Sequence, residues 1–157
     1  MTELKVIAVA TGLVEAMRRT MLSPGYGHPV SVQVATGHGP CRHCLEAFVV
    51  GEERRMLFTY NSFERLEAIP QPGPVFVHER SCVRYDERAG YPRGLLEFKA
   101  VLDGYDARQM LVRREVLLDG TQEDALQAMF EEDAIRYVQV RDGEAGCYDF
   151  RVERNVE

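Results

Sequence analysis

Four residues in two short-spaced pairs carry the chemistry this chain could perform: Cys41 and Cys44 in GPCRHC, and His78 and Cys82 in HERSC. Their spacing, C-x2-C-x33-H-x3-C, offers the number and type of donors that tetrahedral zinc takes. Each short pair can come from one turn while the segment between them packs around the ion. Three thiolates and a neutral imidazole would fill the coordination sphere and leave no position for water, so the site would be structural and not catalytic. The candidate cofactor is therefore structural Zn2+ on Cys41, Cys44, His78 and Cys82, with His38 and His43 as spare donors.

The same residues admit other readings. Cys41 and Cys44 can be two unconnected thiols, with His78 exposed on the face opposite Val77 and Cys82 in the core. A thiol-dependent enzyme or redox protein would use Cys41 with Cys44, or with a nearby histidine among His38, His43 and His78. That chemistry needs a base within hydrogen-bond reach and a lowered thiol pKa, and the motif opens no evident helix that would lower it. Whether the chain is an enzyme stays open at this point. GxSxG, HExxH, GxxxxGK[ST] and GxGxxG do not occur in it, so serine hydrolase, zinc protease and nucleotide-binding chemistries have no motif behind them. Cys147 reads as a buried, inert thiol, and Phe58, Tyr60, Phe63, Phe76 and Tyr85 as core in a chain without tryptophan.

The elements that must position these residues fit a chain of 157 residues, the size of one ordinary domain, which buries about 68–70% of its unfolded surface. A single domain over 1–157 is expected, with 40–85 as a candidate zinc-knuckle subregion. Hydrophobic residues make up 45% and charged residues 28%, a globular and not a disordered composition. The net charge of -6 would repel a polyanion, so no nucleic-acid partner is expected. The Arg54–Arg55 and Arg113–Arg114 pairs, flanked by glutamates, read as solvated faces. No apolar run approaches the ~20 residues of a membrane helix, so a cytoplasmic protein is expected, and its four cysteines are not a disulfide framework there.

Along the chain, Leu4–Ala10 reads as a strand, and the following GLVEAMRRTML sets Leu13, Met17 and Met21 at helical spacing. Val30, Val32 and Val34 alternate as in a half-buried strand. Arg55–Tyr60 and Pro74–Glu79 are strand-like, joined through AIPQPGP as a long loop that cannot be helical. Two extended runs meet at GYDAR, with Gly104 and Asp106 as turn residues, although LLEFKAVL alone fits a short helix equally well. TQEDALQAMFEE is the clearest helix, with Thr121 as its cap and Leu126, Met129 and Phe130 as its apolar stripe. AIRYVQVRD and CYDFRVER flank GEAG and predict a closing hairpin. Strands with a few helices and no regular βαβ alternation predict an α+β fold: a mostly antiparallel sheet, two or three short helices and a C-terminal β-hairpin.

GPCRHCLEAFVVGEE, GPVFVHE, LDGYDAR and YVQVRDGEAGCYDFRV, in this order and spacing, resemble domain-of-unknown-function family 1203. The resemblance runs from about Val30 to Arg154 and implies a small single-domain cytoplasmic protein, without bringing an activity or cofactor. A narrower likeness, over Pro40–Tyr85, is to treble-clef zinc modules, of which the poly(ADP-ribose) polymerase type has a comparable long middle spacing. The function expected is that of a binding or interaction protein whose partner is a protein or small molecule.

Overall fold

The computed structural model describes residues 1–118 and 120–156. The chain forms two compact units, Ala8–Tyr85 and Met1–Ile7 with Asp86–Glu157. Strand β1 (Leu4–Ile7) leads into helix α1 (Thr11–Thr20), then β2 (Ser31–Val34), β3 (Arg54–Asn61) and β4 (Pro72–His78). After a single 3-10 turn at Arg93–Leu95 come β5 (Ala100–Tyr105), β6 (Leu111–Leu117), helix α2 (Gln122–Phe130), β7 (Tyr137–Asp142) and β8 (Tyr148–Arg154). All strand pairings are antiparallel. The fold is thus α+β, mostly antiparallel sheet with two α-helices, closing with the β7–β8 hairpin.

The Ala8–Tyr85 unit holds a three-stranded sheet in the order β2-β3-β4. Its core gathers Val14 and Met17 of α1, Met56 and Phe58 of β3, Val75 and Val77 of β4, and Cys41, Cys44 and Phe48 of the connection between β2 and β3. Alternation makes this possible: the register sets Met56 opposite Val77 and Phe58 opposite Val75, so these four share one face. Met21, expected on the helix stripe, is instead a left-handed C-cap with φ 57° whose N–H donates to Met17 O. In β2 only Val32 and its neighbour Val30 pack on the core, and Val34 is exposed. Pro72 and Pro74 belong to β4 and not to the preceding loop, which is permissible because β4 is an edge strand of this sheet.

Arg55 also departs from the solvated face expected of it. It is 5% exposed, its guanidinium lies 3.7 Å from the Phe76 ring centroid, and it donates to Gly37 O at 3.2 Å and Thr36 Oγ1 at 3.1 Å. Planar stacking and a fork of donors let an arginine replace bulk water here in a way that lysine would not.

The second unit carries a five-stranded sheet in the order β1-β8-β7-β5-β6. Helix α2 buries Leu126, Met129 and Phe130 as its sequence predicts, and Gln122 as well. Gln122 Nε2 donates to Leu96 O and Phe98 O at 3.1 and 3.0 Å, which satisfies the NH2 half of this buried amide. Thr121 makes no side-chain cap; its carbonyl accepts from Ala125 N–H instead. At the other end, Arg154 donates to Phe130 O at the helix terminus and to Glu132 O and Ile135 O beyond it. Gly104 lies within β5 and not in the turn: a Cβ there would come within 3.0 Å of Ile135 Cδ1 and Met129 Cε. Asp106 makes the turn, its Oδ1 accepting from Arg108 and Met110 N–H.

The two glycines of GEAG have different reasons to be there. Gly146 takes φ +78° in the β7–β8 turn, a conformation that costs a residue with a Cβ. Gly143 allows a close approach: its N–H donates to Lys99 O at 2.8 Å, and a Cβ would sit 2.6 Å from the Lys99 carbonyl. Because backbone cannot give way as a side-chain tip can, Gly143→Ala is expected to destabilise the fold by about 1–3 kcal/mol. Urea unfolding followed by circular dichroism measures this, and an unchanged midpoint would contradict the packing argument.

Candidate metal centre

The backbone of Cys41–Leu45 forms a tight turn in which Leu45 N–H donates to Cys41 O at 2.8 Å and Cys41 N–H to Glu46 O at 3.0 Å. Leu45 closes it with φ 59°, a left-handed conformation that costs a leucine roughly 1–3 kcal/mol and persists only where its surroundings impose it. Those surroundings are identifiable. Arg42 N–H donates to Phe76 O at 2.9 Å, docking the turn on the outer edge of β4, while Arg42 O accepts from Val9 N–H at 3.0 Å. Tyr85 N–H donates to His43 O at 2.9 Å, which holds the segment after Cys82 against the same turn.

With the turn so placed, single donor atoms from Cys41, Cys44, His78 and Cys82 all lie within 4.8 Å of one another. Cys41 Sγ and Cys82 Sγ are 3.9 Å apart, and Cys44 Sγ is 3.5 Å from His78 Nδ1. The four residues expected to converge from sequence do converge, and the group could hold a metal ion. His78 does alternate with Val77 and lie on the opposite face of β4, yet it is 1% exposed, because the Phe48 ring stands 4.8 Å from it, centroid to centroid, at 65°. Cys41 and Cys44 are buried, and Cys82 is half-buried.

A second layer surrounds the donors. His78 Nε2 lies 2.8 Å from Glu53 Oε2, and Glu53 is itself held by Val49 N–H and Arg80. His43, one of the spare donors, stands outside the four: its Nδ1 is 3.2 Å from Cys82 Sγ and its Nε2 2.9 Å from Thr11 Oγ1. Arg18 Nη2 donates to His78 O at 2.9 Å and Arg80 O at 2.8 Å, and approaches Cys82 Sγ at 3.7 Å. His78 N–H points at Cys41 Sγ from 3.3 Å. Hydrogen bonds of this kind stabilise thiolate charge. His38 stays apart from the cluster, and its carbonyl accepts from Phe48 N–H.

Without a cation, the close sulfurs divide their protons unevenly. The hydrogen bond to Cys41 lowers the Cys44 pKa against the opposing effect of burial. Cys82 is pushed up to about 11, first by its hydrogen bond to Cys41 and then by burial. Burial would lower His78, but the hydrogen bond to Cys41, the Cys41 charge and Glu53 together raise it. Neighbouring thiolates repel one another, and a divalent cation at their centre would remove the reason for the asymmetry.

Beside His78 opens a polar cleft of about 320 Å³, lined by Glu52, Glu53, Arg54, Glu79 and Arg80. Four of these charges are engaged in pairs, Arg54 with Glu79 at 2.9 Å and Arg80 with Glu53 at 3.2 Å. Cys147, expected to be buried, is half-buried, and it lies outside the four-donor group. Sequence reasoning missed Glu53, Thr11 and Arg18 as supporting residues and had His43 only as a spare donor. Each is tens of positions from its partner, and no local spacing marks them.

No helix among the described residues is long and apolar enough to cross a membrane. The comparisons return no match among curated proteins or solved structures. The model of the DUF1203 family, proteins of unknown function, matches residues 38–154, a span that contains all four donors and most of the strands. The chain belongs to the DUF1203 family.

Proposed function

We propose that this protein is a binding or interaction domain whose Ala8–Tyr85 unit is cross-linked by a structural zinc ion on Cys41, Cys44 and Cys82 Sγ and His78 Nδ1. One observation carries the reading: the donor separations of 3.9 and 3.5 Å. With Zn–S near 2.3 Å and Zn–N near 2.05 Å, a regular tetrahedron sets two sulfurs ~3.8 Å and a sulfur and nitrogen ~3.6 Å apart. The Glu53–His78 contact supports it, since a ligating histidine commonly gives its other ring nitrogen to a carboxylate. Four protein donors complete the sphere, so the ion holds the chain together and catalyses nothing.

The thiol-enzyme reading has less behind it. The cysteine of the group nearest solvent is Cys82, whose pKa is pushed up to about 11, the opposite of an activated nucleophile, while Cys44, whose pKa the hydrogen bond to Cys41 lowers, is buried away from any substrate. All four cysteines are unpaired, which suits the reducing cytoplasm, and the charge of -6 disfavours nucleic acid as the partner. On this reading residues 1–157 act as one domain, with 40–85 carrying the ion.

Protein purified without a metal-affinity tag is expected to contain about one equivalent of zinc by elemental analysis. Cys41→Ser should lose it together with cooperative unfolding. His78→Cys should retain it, because four thiolates also make a tetrahedral site, whereas His78→Ala should not. Equal zinc content in the two His78 variants would defeat the proposal independently of any folding defect.

Glu53→Gln should keep the fold and weaken zinc by roughly 10–100-fold in competition with a chromophoric chelator, the usual cost of losing a carboxylate behind a ligating histidine. Maleimide labelling near neutral pH should modify Cys147 first in the zinc-loaded protein, and the three cluster cysteines only after chelation. One cluster cysteine reacting fast with the metal still bound would favour the thiol enzyme instead.

A further inference from the structure

β6 is the outer strand of its sheet, next to β5 alone. Among the described residues, no backbone hydrogen bond beyond the β5 ladder reaches Leu111–Leu117. An open edge of this length is a template for a further strand unless it is protected. Its apolar side chains are also out in solvent: Met110 is 61% exposed, Leu111 47%, Val112 42%, Val116 56% and Leu118 72%. Arg113 and Arg114 could be read simply as charges guarding the edge. The order of residues argues otherwise.

LVRREVL is complementary to itself when reversed. Turned about Arg114, the strand sets Leu111 against Leu117, Val112 against Val116 and Arg113 against Glu115. Arg113 and Glu115 stand on one face of β6, opposite Gly104 and Leu102 of β5, while Arg114 and Val116 stand on the other, opposite Asp103 and Val101. A two-fold pairing therefore makes a closed square of alternating charge on the first face. Within one chain two corners of it already meet, Arg113 Nη2 and Glu115 Oε1 at 2.7 Å. The like charges at the centre are already compensated, because Arg114 donates to Asp103 Oδ1 and Oδ2 at 2.6 and 3.1 Å. The register shift opposite Tyr105 leaves Val112 as an extra residue, so regular pairing begins at Arg113. The three central residues all lie in the regular stretch.

We propose that β6 pairs antiparallel with β6 of a second copy of this chain about a two-fold axis at Arg114, joining two five-stranded sheets into one. Directly opposed residues in such a pair have Cβ atoms about 4.5–5.5 Å apart, close enough for opposite charges to stabilise and like charges to disrupt. An isologous contact of this kind closes on itself and uses up both edges.

Sedimentation velocity of the full chain across a dilution series is expected to show a monomer–dimer equilibrium. R113E and E115R each oppose like charges and should weaken the dimer about ten-fold or more, with circular dichroism unchanged. An equimolar mixture of the two variants should dimerise again, because each supplies the charge the other lacks, and the double variant R113E/E115R should do so alone. V116K, which alters the other face, should weaken the dimer without rescue by either partner. A wild-type chain that stays monomeric, a dimer indifferent to both single reversals, or a mixture that fails to reassociate would each overturn the pairing.

Discussion

The candidate centre rests on one backbone hydrogen bond, from Arg42 N–H to Phe76 O at 2.9 Å. It lets the Cys41–Cys44 turn occupy the outer edge of β4, which would otherwise be an unprotected strand. It also sets the phase of the site. Phe76 and His78 are two residues apart on β4 and so project to the same face. Docking at Phe76 therefore brings the turn's sulfurs level with the His78 ring. A slip of one residue would turn Val77 toward Phe48 and send the imidazole into the apolar core among Val14, Met56 and Phe58. The proposed ligand set is a consequence of strand register together with the tight turn that Leu45 closes.

Around that bond the Ala8–Tyr85 unit has a limited apolar reserve. Its core is built on one amphipathic helix, three short strands and the turn itself, and long stretches between β2 and β3 have no regular structure. Cys41 and Cys44 already serve there as small buried groups. A tetrahedral ion on the same sulfurs would add covalent-like links between the turn, the end of β4 and the segment at Cys82. Small units with modest cores commonly depend on such links. The strained left-handed Leu45 is consistent with a turn shaped by what it must hold and not by its local preference.

Much of this was legible in the sequence, and the reasons differ by element. The C-terminal hairpin announced itself by alternation around turn residues, whereas the β5–β6 pair was legible only in part, since LLEFKAVL fits a short helix as well as the strand that begins at Ala100. α2 announced itself by the spacing of Leu126, Met129 and Phe130. The convergence of Cys41, Cys44, His78 and Cys82 was legible because metal chemistry restricts both residue type and spacing. What escaped had no local signature. Arg55 sits beside the exposed Arg54 in an unremarkable charged run, and only its register opposite His78 and the nearby Phe76 ring make it a buried residue. Gly104 looks like a turn glycine next to Asp106, and its true constraint is the approach of Met129 and Ile135. Thr11, Arg18 and Glu53 converge on the centre only after α1 and the sheet have packed.

The arginines show a further regularity that composition conceals. Arg18 reaches His78 O and Arg80 O, Arg42 reaches Pro40 O, Arg55 reaches Gly37 O, Arg84 reaches Ala8 O, and Arg154 reaches three carbonyls after α2. Carbonyls in loops and at helix ends have no ladder to join, and leaving them unpaired away from water costs about as much as a lost hydrogen bond. A guanidinium offers five donors in a rigid fork on a long stem, so one side chain can serve several such groups at once. In a chain with this much irregular backbone, that service takes the place of secondary structure. A bridge between carbonyls at Arg18 therefore does two things: it fixes the loop that presents Cys82, and it brings a cation to within 3.7 Å of Cys82 Sγ, where it favours the thiolate against the Cys41 hydrogen bond and the burial that oppose it.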